Sequence, residues 1–217
     1  MIYDFDRVID RRNTLSCKWD QSEPDILPMW VADMDFKTAE PIINALRSRA
    51  EAGVFGYSIY MDDVYDAVTG WFMRRHNWKV EKEWICFSPG IVPALHAFSR
   101  IFAGKGDKII MNSPVYYPFF GAAVKNGAEP VYNELIYKNG RYEIDFDDFE
   151  RKASDPAVKM YYLCSPHNPG GRLWAKEELT RLGEICLRNN VLVIADEIHC
   201  DLVYPDKKHV PFGSLKE

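Results

Sequence analysis

The feature that most constrains this chain is a pair of apolar runs set one amphipathic helix apart. Val158–Cys164 (VKMYYLC) and residues 191–195 (VLVIA) are rich in β-branched and aromatic side chains, as strands buried on both faces are. Between them, Lys176–Arg188 sets Leu179, Leu182, Ile185 and Cys186 on one helical face. Strand, crossover helix and strand make a right-handed unit with parallel strands. Each run ends in a polar segment, SPHNPGG at residues 165–171 and DEIHCD at residues 196–201. Asn168 and Asp196 thus stand just past the carboxyl ends of neighbouring strands, where open α/β sheets bind ligands. An aspartate closing a hydrophobic strand calls for a partner, because a buried charge without one is costly.

The rest of the chain reads in the same register. Residues 84–87, 108–111 and 129–132 are further strand candidates, so five strands alternate with helices. That pattern predicts an α/β fold with a doubly wound, mostly parallel sheet covered on both faces. Thr38 is placed to cap a helix with Ile42, Ile43, Leu46 and Ala50 on its stripe, closing at Gly53. Residues 62–75 form a second helix, capped by Asp62, with Val64, Ala67, Val68, Trp71 and Phe72 inward. A helix over residues 119–126 ends at Gly127, and Asp145 caps a short one carrying Phe146 and Phe149. Residues 1–37 lack periodicity and read as an arm, residues 38–217 as one large domain, and residues 203–217 as a polar loop.

Residues 88–93 (SPGIVP) follow the strand candidate at 84–87. Gly90 lets the backbone approach a ligand, and Pro93 suits a first helical turn because its missing N–H would be unpaired there. The N–H groups of Ile91 and Val92, with the helix dipole behind them, then form an anion site.

Composition narrows the class. The chain is 47% hydrophobic with net charge -5, and it has no long run of like charge, which argues against a nucleic-acid surface. Five cysteines without a C-x-x-C pair point to reduced thiols and a cytoplasmic protein. The first residues carry charges where a signal peptide is apolar, and no apolar run approaches the roughly 20 residues of a membrane span. A zinc site on His199 and Cys200 lacks a second ligand pair at suitable spacing; no metal is expected.

The SPHNPGGRLW and DEIHCDL segments resemble those of fold-type I enzymes that use pyridoxal 5′-phosphate (PLP), the aminotransferase class I/II superfamily. The block LPMWVADMDF at residues 27–36 is similar to the MalY/PatB branch of cystathionine β-lyase-like C–S lyases. The resemblance covers essentially the whole chain. It implies that the arm also serves a small domain, and that residues 38–217 are the PLP-binding large domain, incomplete at its C-terminal end. It implies that Asp196 holds the proton on the pyridine nitrogen and that Asn168 donates to the cofactor's 3′ oxygen. Gly90, Ile91 and Val92 cradle the phosphate, and Tyr116, or else its neighbour Tyr117, stacks on the ring. Tyr57, a loop aromatic when read by itself, reaches a neighbouring subunit's phosphate in a homodimer. His199 stands where many aminotransferases of this fold carry a tyrosine, and is counted with the cofactor-binding residues.

The family's Schiff-base lysine belongs to a serine-lysine segment some dozens of residues past the aspartate. Only Lys207, Lys208 and Lys216 follow Asp196, in a charged stretch where solvated surface is expected, so no catalytic residue is assigned within the chain. The lysine and the C-terminal small domain are expected beyond Glu217, and the chain is expected to be inactive alone. The resemblance implies a C–S β-lyase that cleaves cystathionine or a related cysteine S-conjugate to thiol, pyruvate and ammonia. An aminotransferase of amino acids shares the cofactor and the first steps, and a non-catalytic binding or regulatory module is the further alternative.

Overall fold

Strand β5 (Val158–Cys164) shows how this sequence organises its core. Its side chains alternate between two clusters: Met160, Tyr162 and Cys164 in one, Tyr161 and Leu163 in the other. A strand apolar on both faces needs a layer of helices on each side. The structure, a computed structural model, describes residues 3–215. Within them the chain divides into two compact units, one ending at Ile59 and the other beginning at Tyr60.

The first unit contains α1 (Cys17–Asp20) and α2 (Glu40–Ala52). A polar network replaces the missing periodicity of its first part. Asp35 receives Lys18 Nζ at 2.6 Å, Trp19 Nε1 at 2.7 Å and Arg11 at 2.9 Å. The Lys18 and Trp19 hydrogen bonds hold the Asp35 carboxyl down at about 2. The boundary falls after Ile59, so α2 stays with the arm. Ala39, not Thr38, is the N-cap, with no side-chain bond, while Gly53 closes the helix at φ +68°.

The second unit carries α3 (Asp62–His76), α4 (Ile91–Phe102), β1 (Lys108–Ser113), α5 (Pro118–Val124), β2 (Glu129–Glu134), β3 (Ile136–Lys138), β4 (Arg141–Glu143), α6 (Phe146–Ala153), β5, α7 (Lys176–Arg188) and β6 (Leu192–Asp196). β2, β1, β5 and β6 form one sheet in that order, with every neighbouring pair parallel. From β1 the chain steps one way to β2 and the other way to β5 and β6. Right-handed crossovers therefore put α5 on one face and α6 and α7 on the other. Phe119, Ala122 and Ala123 of α5 pack with Leu95 of α4; Phe149, Leu179, Leu182 and Ile185 fill the opposite cluster. Burying each such leucine, isoleucine or phenylalanine is worth roughly 1.5–3 kcal/mol.

Three further expectations change. Residues 84–87 are not a strand: a 3-10 turn, Lys82–Trp84, is followed by extended backbone at Ile85 that no neighbouring strand pairs. The sheet has four strands rather than five, and a short antiparallel hairpin, β3–β4, flanks the turn at residues 139–140. α3 begins at Asp62 with Met61 as its N-cap, and none of its residues is buried; Val64 and Trp71 are exposed. Nor is the stretch after residue 203 only a polar loop. His209 and Pro211 are buried, and Val210, Phe212 and Leu215 pack on the α7 cluster. Gly183 makes this possible, because a Cβ there would stand 3.3 Å from the Phe212 ring. Lys207 pairs with Asp206, Lys208 is exposed, and Lys216 lies outside the described residues.

Candidate functional site

The strand order reverses between β1 and β5, the place where open α/β sheets carry a ligand crevice at the carboxyl ends of their strands. The residues that leave those two strands meet: the Tyr116 N–H donates to the Asn168 carbonyl at 3.0 Å. The next strand end is tied in as well. Cys164 stands opposite Asp196 in the β5–β6 register, and the Ser165 N–H donates to the Asp196 carbonyl at 2.9 Å. Cys164 closes the group, its Sγ accepting the Asn168 N–H at 3.3 Å.

Asp196 brings a buried carboxylate to the strand ends. It is 6% exposed, and its carboxylate accepts one hydrogen bond, from the Ile198 N–H at 3.1 Å. Burial pushes its carboxyl above the usual range, against smaller pulls from that N–H and from His199. Among the described residues no lysine or arginine pairs with it. His199 sits in the turn after β6 and lines a cavity of about 330 Å³ with Pro166, His167, Leu173, Tyr204 and Lys207.

α4 brings the third component. Tyr162 OH donates to the Leu95 carbonyl at 2.8 Å, which fixes the helix along the sheet. Residues 103–107 connect its end to the start of β1, so its N-terminus points toward the crevice end. Ala94 N–H bonds Gly90 O at 3.3 Å and Pro93 has no N–H, which among the described residues leaves the N–H groups of Ile91 and Val92 open. Gly90 is extended (φ 162°), so its place reflects no left-handed strain. Tyr116 is half-buried against the α4–α5 cluster, while Tyr117 is 80% exposed. Tyr57 belongs to the first unit, in a loop with its ring fully exposed.

Two residues of this site carried no assignment from the sequence. Cys164 could have been placed by counting inward positions along β5; His167 had no signal beyond standing inside the SPHNPGG segment. A further cluster unites distant residues, with ligand atoms of His76, Cys200 and Asp201 within 4.8 Å of one another. Asp201 there accepts from Trp71 Nε1 at 2.8 Å and lies 3.0 Å from His76 Nε2. Those Asp201 hydrogen bonds clasp α3 to the turn after β6, and desolvation pushes the Cys200 thiol up to about 11.

The fold is a doubly wound parallel sheet with the N-terminus of α4 and the buried Asp196 carboxylate at the carboxyl ends of its strands. The chain belongs to the family described as aminotransferase class I and II, whose sequence model matches residues 25–216. It is 47% identical over 218 residues to the cystathionine beta-lyase PatB of Bacillus subtilis, covering 98% of this chain and 56% of the relative. Cystalysin from Treponema denticola, whose crystal structure contains pyridoxal 5′-phosphate, superposes with a TM-score of 0.93 at 38% identity, over 99% of this chain and 56% of that one. An aspartate aminotransferase of Bacillus subtilis is more distant, 27% identical over 89% of this chain and 49% of its own length. The chain spans about half the length of the curated relatives it matches. No described helix is long and apolar enough to cross a membrane.

Proposed function

We propose that this chain supplies the cofactor-binding part of a PLP-dependent C–S β-lyase acting on cystathionine or a related cysteine S-conjugate, with thiol, pyruvate and ammonia as products. The observation that carries the reading is Asp196, a carboxylate 6% exposed with a single backbone N–H as partner. Such a group is stable when a cation completes it. The residues present fit PLP: a protonated ring nitrogen would complete Asp196, and a phosphate would complete the open N–H groups of Ile91 and Val92. When bound, the cofactor is the electron sink for the charge left as an amino acid loses its Cα proton.

The chain's own residues divide the holding. Asp196 keeps the proton on the ring nitrogen, and its burial strengthens that charge-assisted bond by excluding water. Gly90, Ile91 and Val92 bind the phosphate through the N-terminus of α4. Tyr116, half-buried where Tyr117 is exposed, would support the cofactor ring, and Asn168 would offer its side-chain amide to the 3′ oxygen. His199 tempers the charge on Asp196 from the same turn. The higher identity to PatB than to the aspartate aminotransferase favours elimination over transamination.

The test is the full-length protein with L-cystathionine and no added keto acid. Thiol and pyruvate released together support the lyase; amino-group exchange that depends on a keto acid, without pyruvate, replaces it with an aminotransferase.

The working unit is proposed to be a cytoplasmic homodimer. Tyr3, Phe5, Trp30 and Tyr57 all expose their rings, and aromatic side chains are enriched at interfaces. None of the five cysteines is paired, which suits a reducing compartment. Tyr57 would serve the neighbouring chain's phosphate. A full-length monomer at micromolar concentration with normal PLP retention would end this reading.

A further inference from the structure

His167 is only 3% exposed, and its Nε2 has no hydrogen-bond partner among the described residues, so packing alone does not explain why a polar ring stands there. Its main chain closes a short loop: the His167 N–H donates to Arg172 O at 2.7 Å, and the Gly171 N–H donates to His167 O at 2.9 Å. Asn168 and Pro169 form the loop's apex. The ring fills the inside of that loop, where Nδ1 accepts the Gly170 N–H at 3.2 Å. The fit is close, since a Cβ on Gly170 would lie 2.7 Å from Nδ1 and 3.1 Å from the Tyr142 ring. Trp174 braces the imidazole edge-on at 5.5 Å between centroids, and its own Nε1 donates to Cys164 O at 2.9 Å. The same support thus runs from the end of β5 to the loop that carries Asn168.

We propose that His167 is a positioning residue: its Nδ1 holds the 168–170 turn from inside, so that Asn168 is presented at the crevice between β1 and β5. This rests on the reading of Asn168 as a cofactor contact. The role requires an acceptor at the Nδ1 position, not an imidazole as such. Asparagine, whose Oδ1 occupies nearly the same place, therefore replaces it, and leucine does not.

The experiment uses the full-length protein with PLP as the probe and reads its dissociation constant and absorption maximum. Losing one buried acceptor is expected to weaken PLP about tenfold in His167→Leu, with His167→Asn within about twofold of wild type. His167→Leu should also move the absorption maximum in the direction that Asn168→Ala does. If asparagine rescues nothing, or if His167→Leu is silent while Asn168→Ala shifts the spectrum, the positioning role is wrong. If Asn168→Ala is itself silent, the cofactor reading of Asn168 fails instead, and this proposal with it. Should the leucine variant not fold, amide exchange in the wild type decides: a Gly170 N–H exchanging as fast as a free amide removes the hydrogen bond and the proposal.

Discussion

The thiol of Cys164 accepts the N–H of Asn168 at 3.3 Å and donates to the Pro166 carbonyl at 3.6 Å. Burial pushes that thiol up to about 11, so Cys164 is a neutral hydrogen-bonding group and not a nucleophile.

Thiol chemistry checks this directly. Cys17 and Cys86 are exposed, whereas Cys164 and Cys186 are buried, the latter pushed up to about 12. At pH 8, an alkylating reagent should label Cys17 and Cys86 within minutes and leave Cys164 and Cys186 unmodified until denaturant is added. Peptide mass spectrometry reads the order. Cys164 labelling as fast as Cys86 would show that the β5 end is open.

The interior of the sheet holds a second polar chain. Tyr161 OH donates to Asn112 Oδ1, Asn112 Nδ2 donates to Asn133 Oδ1 at 2.9 Å, and Asn133 Nδ2 donates to Asp148 at 2.8 Å. Asn112→Ala strips partners from both neighbours, and an unsatisfied buried polar group costs about 1–3 kcal/mol. Asn112→Ala should therefore lose roughly 2–4 kcal/mol and Tyr161→Phe roughly half as much, measured by urea unfolding. Equal losses would mean that the chain does not act as a unit.

What the sequence made legible follows the same line between local and distant causes. Val158–Cys164 and Lys176–Arg188 emerge with the expected bounds, because a two-faced apolar run and a single helical stripe are local patterns. Residues 84–87 look equally apolar, but a strand exists only where another pairs with it, and among the described residues none pairs with them. Asn168 and Asp196 could be put past the ends of β5 and β6 because those strand ends were readable, whereas Tyr116 was singled out only by the resemblance. The Trp71 and His76 bonds to Asp201 span 130 and 125 residues, and no spacing rule reaches that far. His167 was missed for another reason: its work is done by a loop closing on a glycine, which only the backbone path reveals.

His167 also sets an acid limit. Burial, helped by the Arg172 guanidinium, lowers its imidazole to about 4 from 6.5. Between those values the unfolded chain takes up a proton that the folded one refuses, so stability is full above pH 6.5 and is lost as pH falls toward 4. The loss from this group is about 3 kcal/mol. Asp196, raised by burial, has the opposite slope in its own range. Comparing wild type with His167→Asn in urea at pH 7, 5.5 and 4 isolates the histidine. The variant should lack most of the acid loss, and parallel curves would assign that loss elsewhere.

Asp196 offers the sharpest separation of folding from function. A carboxylate buried without a counter-charge destabilises the cofactor-free protein, which is why its carboxyl is raised. Asp196→Asn keeps the shape and the Ile198 hydrogen bond but removes the charge. The cofactor-free variant should be more stable than wild type by roughly 1 kcal/mol, as is common where a functional group is strained for its task. The same change should weaken PLP binding and abolish most activity in the full-length protein, because the amide cannot hold a proton on the ring nitrogen. Urea unfolding without cofactor and a PLP titration together read the trade. A variant less stable without cofactor would mean that Asp196 is already satisfied by its surroundings and is a structural carboxylate. A more stable variant with unchanged PLP affinity would mean that the ring nitrogen has another partner.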